Sequence, residues 1–271
     1  MRLVDGRPIA IHETGVGVPV LFLHGFGIDH RSLLLALGPL FERRAGYRRL
    51  HVDLPGFGES PADPAIDSSD SMLEVVLALI DEVIGDERFL LVGQSWGAYL
   101  ARGVVARRAG QVAGVALIIP VVIANHADRE VPEHAIVAEE PGVLDGVDLA
   151  DAEAYREMGA VIDPGSWAYF RDTILPALAA ADSDTLERIG ERYSLQTDVD
   201  ASGPPFGGPG LIVAGRQDPV VGYRDAVRSL LERYPRSTFA VLDAAGHNLE
   251  GERTGLLSAL VDDWLDRVER T

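Results

Sequence analysis

Apolar runs recur along the chain, and stretches with helical periodicity separate them. The runs that we interpret as buried strands cover residues 18–24, 48–53, 88–94, 112–119, 210–215 and 238–243. Two shorter patterns, at residues 2–5 and 8–13, precede them and predict an edge hairpin. Continuous apolar strands that alternate with helices are typical of a mostly parallel sheet covered on both faces. The pattern therefore predicts an α/β fold with a mostly parallel eight-stranded sheet and helices on both faces.

The alternation of strands and helices is interrupted after Pro120. The next apolar run comes only after a segment of roughly eighty residues that is rich in Ala, Glu and Asp. Helical patterns occur within it at residues 150–160, 166–181 and 183–194, and a Pro/Gly stretch at residues 203–210 predicts the return to the sheet. We therefore expect a core of residues 1–120 and 206–271, and an inserted helical cap of residues 121–205.

Composition narrows the possible functions. The chain has 271 residues, 47% of them hydrophobic, which suits one α/β domain with an insertion. Its formal net charge of −18 argues against nucleic acid or an anionic membrane as a partner. Cysteine is absent, which excludes disulfides, thiol catalysis and thiolate metal sites.

The location and partners of the chain can also be predicted. The first residues lack the apolar core of a signal peptide, and no apolar run is long enough to cross a bilayer. We therefore expect a cytoplasmic protein that binds a small-molecule substrate and has no membrane partner. The oligomeric state, monomer or homodimer, stays open.

The segment Gly93-Gln94-Ser95-Trp96-Gly97 carries the strongest chemical signal. It follows an apolar run and precedes a helical pattern that starts at Ala98. A G-x-S-x-G sequence between a strand and a helix is typical of a nucleophile elbow, a sharp turn that exposes the serine hydroxyl. Only small neighbours fit such a turn, which gives the two glycines a steric reason. We predict that Ser95 is the nucleophile.

Two later residues could activate that hydroxyl, because a serine is a poor nucleophile until a base takes its proton. His247 follows the last apolar run and is the candidate base. Asp218 follows the run before it and would hold the imidazole in the right tautomer and stabilise the imidazolium. Asp243, which is close to His247 in sequence, competes with Asp218 for that role.

Attack on a carbonyl also needs hydrogen-bond donors aimed at the oxyanion of the tetrahedral intermediate. The backbone N–H of Trp96, directly after the predicted nucleophile, is one candidate. The segment His24-Gly25-Phe26-Gly27 ends the first buried strand, and we assign the second donor to the N–H of Phe26. His24 is expected to brace this loop by hydrogen bonding.

With these residues in view, the chain resembles the α/β-hydrolase superfamily from about Val4 to Arg267. The segment Asp53-Leu54-Pro55-Gly56-Phe57-Gly58-Glu59-Ser60 looks like the loop after the fourth strand in many members. The order Ser, Asp, His is also that of the family. The resemblance implies the α/β-hydrolase fold with a helical cap and no cofactor. It favours Asp218 over Asp243, because the family's acid follows the strand before the histidine-bearing one.

The cap should roof the substrate pocket above the carboxyl ends of the strands. The candidates for lining an apolar pocket are Trp167, Tyr169 and Phe170, although aromatic side chains at helical spacing also serve a cap's own core. We predict no metal site. An H-E-x-x-H motif is lacking, and the potential ligands His126, Asp128, Glu133 and His134 match no zinc spacing.

The predicted activity is hydrolysis of a small or medium ester or lactone through an acyl-enzyme on Ser95. Family members that act as haloalkane dehalogenases or epoxide hydrolases have aspartate at the elbow, so the serine argues against both activities.

Three alternatives stay open. The elbow G-x-S-W-G is similar to that of proline iminopeptidases, whose cap carboxylates hold the substrate's amino terminus, although the loop from His24 to Ile28 departs from their H-G-G-P-G. The cap carboxylates that could serve in this way are Glu130, Glu133, Glu139 and Glu140.

Carbon–carbon bond hydrolases typically have tryptophan after the histidine, where this chain has Asn248. Some relatives with an intact triad are small-molecule hormone receptors.

Overall fold

An eight-stranded sheet lies at the centre of the molecule, for which a computed structural model describes residues 1–197, 199 and 203–271. The strands in chain order are β1 (Arg2–Val4), β2 (Arg7–Thr14), β3 (Val18–Leu23), β4 (Tyr47–Asp53), β5 (Phe89–Gln94), β6 (Val112–Ile118), β7 (Ala138–Glu139), β8 (Val161–Ile162), β9 (Gly210–Gly215) and β10 (Ser237–Leu242). The large sheet has the order β1-β2-β4-β3-β5-β6-β9-β10, while β7 and β8 pair separately. Only the β1/β2 and β2/β4 pairings of the large sheet are antiparallel.

The helices surround this sheet. They are α1 (Arg31–Arg43), α2 (Ser69–Leu79), α3 (Trp96–Arg108), α4 (Leu149–Met158), α5 (Pro164–Tyr169), α6 (Leu175–Ala180), α7 (Ser183–Glu191), α8 (Arg224–Arg233), α9 (Leu249–Glu252) and α10 (Thr254–Glu269). Helix α1 packs against α10, and α2 packs against α3. Every residue of β5 and of β9 is buried, because helices cover both faces of the sheet. The predicted fold and edge hairpin are therefore confirmed.

Where the structure describes it, the insertion between β6 and β9 contains four α-helices, a 3-10 turn at His126–Asp128 and a short two-stranded ribbon. Helices α4 and α7 match the predicted patterns, and the pattern at residues 166–181 is divided into α5, a wide helical turn at residues 170–174, and α6. The parallel β7/β8 ribbon was not predicted, since strands of two residues show no periodicity. Residues 198 and 200–202 of the predicted cap lie outside the described residues, and its boundaries, 121 and 205, stay a prediction.

The insertion contacts the core through the loop that follows β4. The N–H of Asp182, which caps α7, donates to the carbonyl oxygen of Gly56 at 2.8 Å. Gly56 has φ +84°, and a Cβ there would lie 2.7 Å from the side chain of Thr185. This close approach requires glycine and fixes α7 above the carboxyl ends of the strands. Within the described residues, no helix has both the length and the apolar character needed to cross a bilayer.

Candidate active site

Ser95 lies in a strained turn between β5 and α3. Its backbone has φ +52° and ψ −115°, which is unfavourable for a residue with a Cβ. The two flanking glycines explain how the turn closes. A Cβ on Gly93 would lie 2.6 Å from the Cα of Ala98, and a Cβ on Gly97 would overlap the carbonyl oxygens of Leu23 and His24. The steric reason that the sequence suggested for both glycines is therefore present.

The structure brings Ser95, His247 and Asp218 together from three separate loops. The Oγ of Ser95 lies 3.2 Å from Nε2 of His247, and Nδ1 of the same ring lies 2.9 Å from Oδ2 of Asp218. The imidazole is therefore oriented with one nitrogen toward the serine and the other toward the carboxylate. This geometry suits proton transfer from the serine to the histidine.

Asp218, rather than Asp243, is the acid that meets the histidine. Its side chain is fully buried, and its second oxygen accepts the backbone N–H groups of Val220 at 2.8 Å and Val221 at 3.0 Å. Asp243 is 77% exposed and accepts a hydrogen bond from Gln217. The buried carboxylate is therefore oriented by backbone donors before any substrate binds.

The charges around His247 set its proton affinity. Burial lowers the pKa of His247, but the carboxylate of Asp218 outweighs burial and raises that pKa above its ordinary value. Glu250 lies on the same side, fully buried, and neither of its carboxylate oxygens has a hydrogen-bond partner in the described part of the chain. Burial raises the pKa of Glu250 to about 8, so this side chain is mostly neutral at pH 7.

The loop after β3 lies directly against Ser95. A Cβ on Gly25 would be 3.4 Å from the Cβ of Ser95. The N–H of Phe26 makes no hydrogen bond to the residues that the structure describes, and that of Trp96 opens α3, where no intrahelical acceptor exists. Both predicted oxyanion donors are therefore unused and belong to segments that touch the serine.

His24 and Trp96 fix this loop. Nε2 of His24 accepts the N–H of Leu54 at 3.1 Å, so its Nδ1 carries the proton and donates to the carbonyl oxygen of Gly25 at 2.8 Å. The indole of Trp96 donates to Ser69 at 2.9 Å and packs on Phe26, with 5.4 Å between the ring centroids. Burial lowers the pKa of His24 and keeps it neutral. His24 thus braces the loop, as the sequence suggested.

The loop after β4 is held by Asp53. Its carboxylate accepts the N–H groups of His30 and Glu59, both at 2.9 Å, and lies 2.8 Å from Nδ1 of His30. Among the described residues, His12, His30 and Asp53 place potential ligand atoms within 4.8 Å of one another. The two imidazoles are stacked, with 3.6 Å between centroids. Ligand lone pairs lie in the ring plane, so stacked rings do not direct them at one ion.

The loop that carries His247 is bound to the insertion. The N–H of His247 donates to the carbonyl oxygen of Met158 at 2.8 Å. The carboxylate of Glu252 accepts the N–H of Gly246 at 2.6 Å and that of Val161 at 3.0 Å, and also that of Ala160. The position of the histidine therefore depends on residues 158–161 of the insertion, which the sequence did not indicate.

Two cavities meet at Ser95 and His247. The larger has a volume of about 850 Å³ and includes Arg129, Tyr193 and Gln196 in its lining. The smaller has a volume of about 140 Å³ and a mainly apolar lining, to which the insertion contributes Phe170, Ile174 and Leu178. Phe26 borders both cavities. A substrate can therefore place a small apolar group in the smaller cavity and a larger, more polar group in the larger one.

Of the three cap aromatics, only Phe170 lines either of these two cavities. Trp167 packs on Tyr155 with 5.3 Å between ring centroids, inside a small aromatic cluster of the insertion. Tyr169 is buried, and its hydroxyl donates to the carbonyl oxygen of Ser32 in α1 at 3.2 Å. The proposed pocket role of Trp167 and Tyr169 is therefore corrected: Trp167 is half-buried against the insertion's own aromatic side chains, and Tyr169 is buried against α1. Helical periodicity does not distinguish the side of a helix that faces a cavity from the side that faces another helix.

The cap carboxylates considered for an aminopeptidase line neither cavity. Glu130 forms ion pairs with Arg224 and Arg228 of α8, and Glu139 forms one with Arg156. The other two, Glu133 and Glu140, are exposed. These positions do not provide a site for a substrate's free amine at Ser95.

Comparison with known proteins identifies the family to which the chain belongs. The model of the Alpha/beta hydrolase family matches residues 20–258. Epoxide hydrolase A from Mycobacterium tuberculosis is 25% identical over an alignment that covers 99% of this chain and 98% of that protein. An alpha/beta superfamily hydrolase from Oenococcus oeni is 29% identical with a TM-score of 0.90, covering 99% of this chain and 98% of the other. A thermophilic esterase from Thermogutta terrifontis is 23% identical with a TM-score of 0.67, covering 96% and 93%, and shares the fold.

Proposed function

The chain belongs to the alpha/beta hydrolase family and is a hydrolytic enzyme, and we propose that it cleaves a small or medium ester or lactone through an acyl-enzyme on Ser95. The observation that carries this proposal is the hydrogen-bonded series from Ser95 through His247 to Asp218, with distances of 3.2 Å and 2.9 Å. A serine hydroxyl in such a series, beside two unused backbone donors, is suited to attack on a carbonyl carbon.

The reaction begins when Oγ of Ser95 attacks the carbonyl carbon and its proton passes to Nε2 of His247. The negative charge that develops on the carbonyl oxygen is stabilised by the N–H groups of Phe26 and Trp96. The intermediate then collapses, and the bond to the leaving oxygen breaks as His247 returns the proton to that oxygen. A water molecule then gives a proton to His247 and attacks the acyl carbon. The bond to Oγ breaks as His247 returns that proton to Oγ, which releases the acid and restores Ser95.

The similarity to Epoxide hydrolase A does not favour epoxide hydrolysis here. Epoxide hydrolases of this family use a carboxylate at the elbow, where this chain has Ser95. A hydroxyl with an adjacent base is suited to acyl transfer. The two cavities both reach Ser95, so together they give room for the acyl and leaving groups of an ester.

A panel of substrates tests the proposal. It pairs p-nitrophenyl esters of increasing acyl length with the p-nitroanilides of proline and alanine, and Ser95→Ala is the blank. We expect turnover of the short esters, with a decline as the acyl chain outgrows a cavity of about 140 Å³. Preferential cleavage of the anilides would instead support an aminopeptidase. A single slow turnover that leaves the protein acylated would support a receptor.

A further inference from the structure

Arg129 is a partly buried cation in the larger cavity. It lies in the insertion, before α4, and lines the same space as Ser95 and His247. Burial and the positive charge of Arg129 both act to lower the pKa of His247, although Asp218 outweighs them. The guanidinium is therefore near enough to the imidazole for the two to interact electrostatically.

Backbone carbonyl oxygens, rather than an acid, orient this guanidinium. Its Nε donates to Ile123 at 2.7 Å, and its two terminal nitrogens donate to Val220 at 3.0 Å and to Ala124 at 2.8 Å. Within residues 1–197, 199 and 203–271, Arg129 forms no ion pair. A guanidinium has five N–H donors, so at most two remain for a ligand, since the side chain also interacts by hydrogen bonding with Tyr193. The side chain is thus held in place while its charge has no partner.

The other charged groups of this cavity differ from Arg129. Arg192, which also lines it, forms an ion pair with Asp67. Asp70 accepts the N–H of Gln196 at 3.2 Å, and Glu191 is exposed to solvent. A partly buried charge without a partner is unfavourable, and a ligand that supplies the opposite charge relieves that cost.

Tyr193 lies beside Arg129 in the same lining. Burial raises the pKa of Tyr193, and the positive charge of Arg129 acts in the opposite direction. Its phenol therefore stays protonated and can donate a hydrogen bond. A guanidinium with free donors and a neighbouring phenol suits a carboxylate, whose two oxygens accept several hydrogen bonds.

We propose that Arg129, with Tyr193, binds a carboxylate of the substrate, so that the preferred substrates are anionic esters that place a small apolar group in the smaller cavity. This inference rests on the proposed function, because it assumes that the ester bond is cleaved at Ser95. It adds a substrate class that neither the elbow nor the fold specifies. The negative charge would lie in the larger cavity, which Arg129 and Tyr193 line, and not in the smaller one, which Phe170 lines.

Two pairs of substrates of similar shape test the inference. The first pair is p-nitrophenyl butyrate and mono-p-nitrophenyl succinate, in which the acyl group gains a carboxylate. The second pair is methyl 4-acetoxybenzoate and 4-acetoxybenzoate, in which the leaving group gains it. We expect the wild type to prefer the anionic member of at least one pair, measured as a ratio of kcat/KM. The pair that shows the preference tells which side of the ester carries the charge.

Variants then assign the preference to Arg129. Arg129→Gln should reduce the ratio about 10- to 100-fold, as for loss of a charged hydrogen bond, while Arg129→Lys should retain part of it. Arg192→Gln removes a cation that lines the same cavity but is paired with Asp67, and should leave the ratio unchanged. Because each ratio compares two substrates on one protein, a loss of folded enzyme cancels. Inhibition by butyrate-sized carboxylates should weaken in Arg129→Gln as well.

The outcomes separate this inference from the proposed function. If neutral esters are hydrolysed as well as anionic ones, or if Arg129→Gln leaves a preference intact, the carboxylate site is refuted while ester hydrolysis stands. If the wild type hydrolyses no ester of either pair, the proposed ester hydrolysis is itself refuted, and the carboxylate site that rests on it falls with it.

Discussion

The carboxyl edge of the central sheet and the insertion above it border the same two cavities, but they are held in place differently. At the edge, Ser95 and Asp218 are fixed by backbone: a turn at φ +52° closes only between glycines, and two N–H groups orient the carboxylate. In the insertion, short helices pack aromatic and aliphatic side chains, and only some of these face a cavity. Groups fixed by backbone tolerate little change, whereas packed side chains can be exchanged. We infer that the edge determines the chemistry and the insertion selects the substrate.

The largest effect is expected from a substitution at the carboxyl edge of the sheet. Ser95→Ala should reduce kcat for every ester by at least about 10⁴-fold, because no nucleophile remains, while the melting temperature stays close to that of the wild type. Steady-state rates and thermal unfolding measure both. Ser194→Ala is the matched control, since Ser194 lines the larger cavity but forms no hydrogen bond to a histidine among the described residues. Near wild-type activity of Ser95→Ala would contradict the assignment of the nucleophile.

A second test at the edge replaces the acid. Asp218→Asn should reduce kcat by about 10³- to 10⁴-fold, because the amide no longer stabilises the imidazolium or selects its tautomer. Asp243→Asn should change the rate little, since Asp243 is 77% exposed and bonds Gln217. Comparable losses in the two variants would refute the assignment of Asp218.

The pH dependence of kcat/KM also tests the pairing of His247 with Asp218. Only neutral His247 can accept the serine proton, and its pKa is raised above the ordinary value. Therefore kcat/KM should fall by about tenfold per pH unit on the acid side of that pKa. In Asp218→Asn the midpoint should move to lower pH, because the carboxylate that raises it is gone. A profile that is flat from pH 5 to pH 8 would argue against a histidine base.

The buried acid Glu250 should make the stability of the protein depend on pH. Because burial raises its pKa to about 8, the folded protein retains a proton that the unfolded chain has lost between about pH 4.5 and pH 8. Stability should therefore fall as pH rises across that range, by up to about 1.4 kcal/mol per unit, and stay level above it. Glu250→Gln should remove this loss and be more stable than the wild type at pH 8, as measured by urea unfolding.

The neighbouring carboxylate provides the control for that experiment. Glu252 accepts three backbone N–H groups, so Glu252→Gln places an amide against donors and should destabilise the protein. Destabilisation by both substitutions at pH 8 would show that Glu250 has a hydrogen-bonded role in the folded state.

The smallest effect is expected in the insertion. Leu178 lines the smaller cavity, but 46% of the residue is exposed, so its replacement should not disrupt the fold. Leu178→Ala should raise the ratio of kcat/KM for longer acyl chains to that for shorter ones by about two- to fivefold, and Leu178→Trp should lower this ratio. Leu231→Ala in α8, which is 44% exposed and is not in the lining of either cavity at Ser95, should leave the preference unchanged. An equal loss of kcat/KM for all acyl lengths would show that Leu178 affects the reaction itself and not the choice of substrate.

Much of the edge could be predicted because its constraints are local. The glycines around Ser95 and the position of His247 are tied to neighbouring apolar strands, so sequence spacing identified the nucleophile and the base, while the choice of Asp218 over Asp243 came from the family resemblance. The insertion has no such constraints. Its helices were predicted, but the inward side of α5 was not, so Trp167 and Tyr169 were assigned to a pocket that they do not line. The side of a helix that faces a cavity depends on its neighbours.

The sequence by itself determined the strand pattern, the turn at Ser95 and the family, because backbone sterics and burial act over a few residues. Only the tertiary structure decided which acid reaches His247, that Glu250 is buried near it, and that Arg129 lines the larger cavity with no ionic partner among the described residues. These contacts join residues far apart in the chain, and their energies depend on burial and distance, which no local pattern records. The chemistry was therefore predicted from the sequence, and the features that select a substrate became visible only in three dimensions.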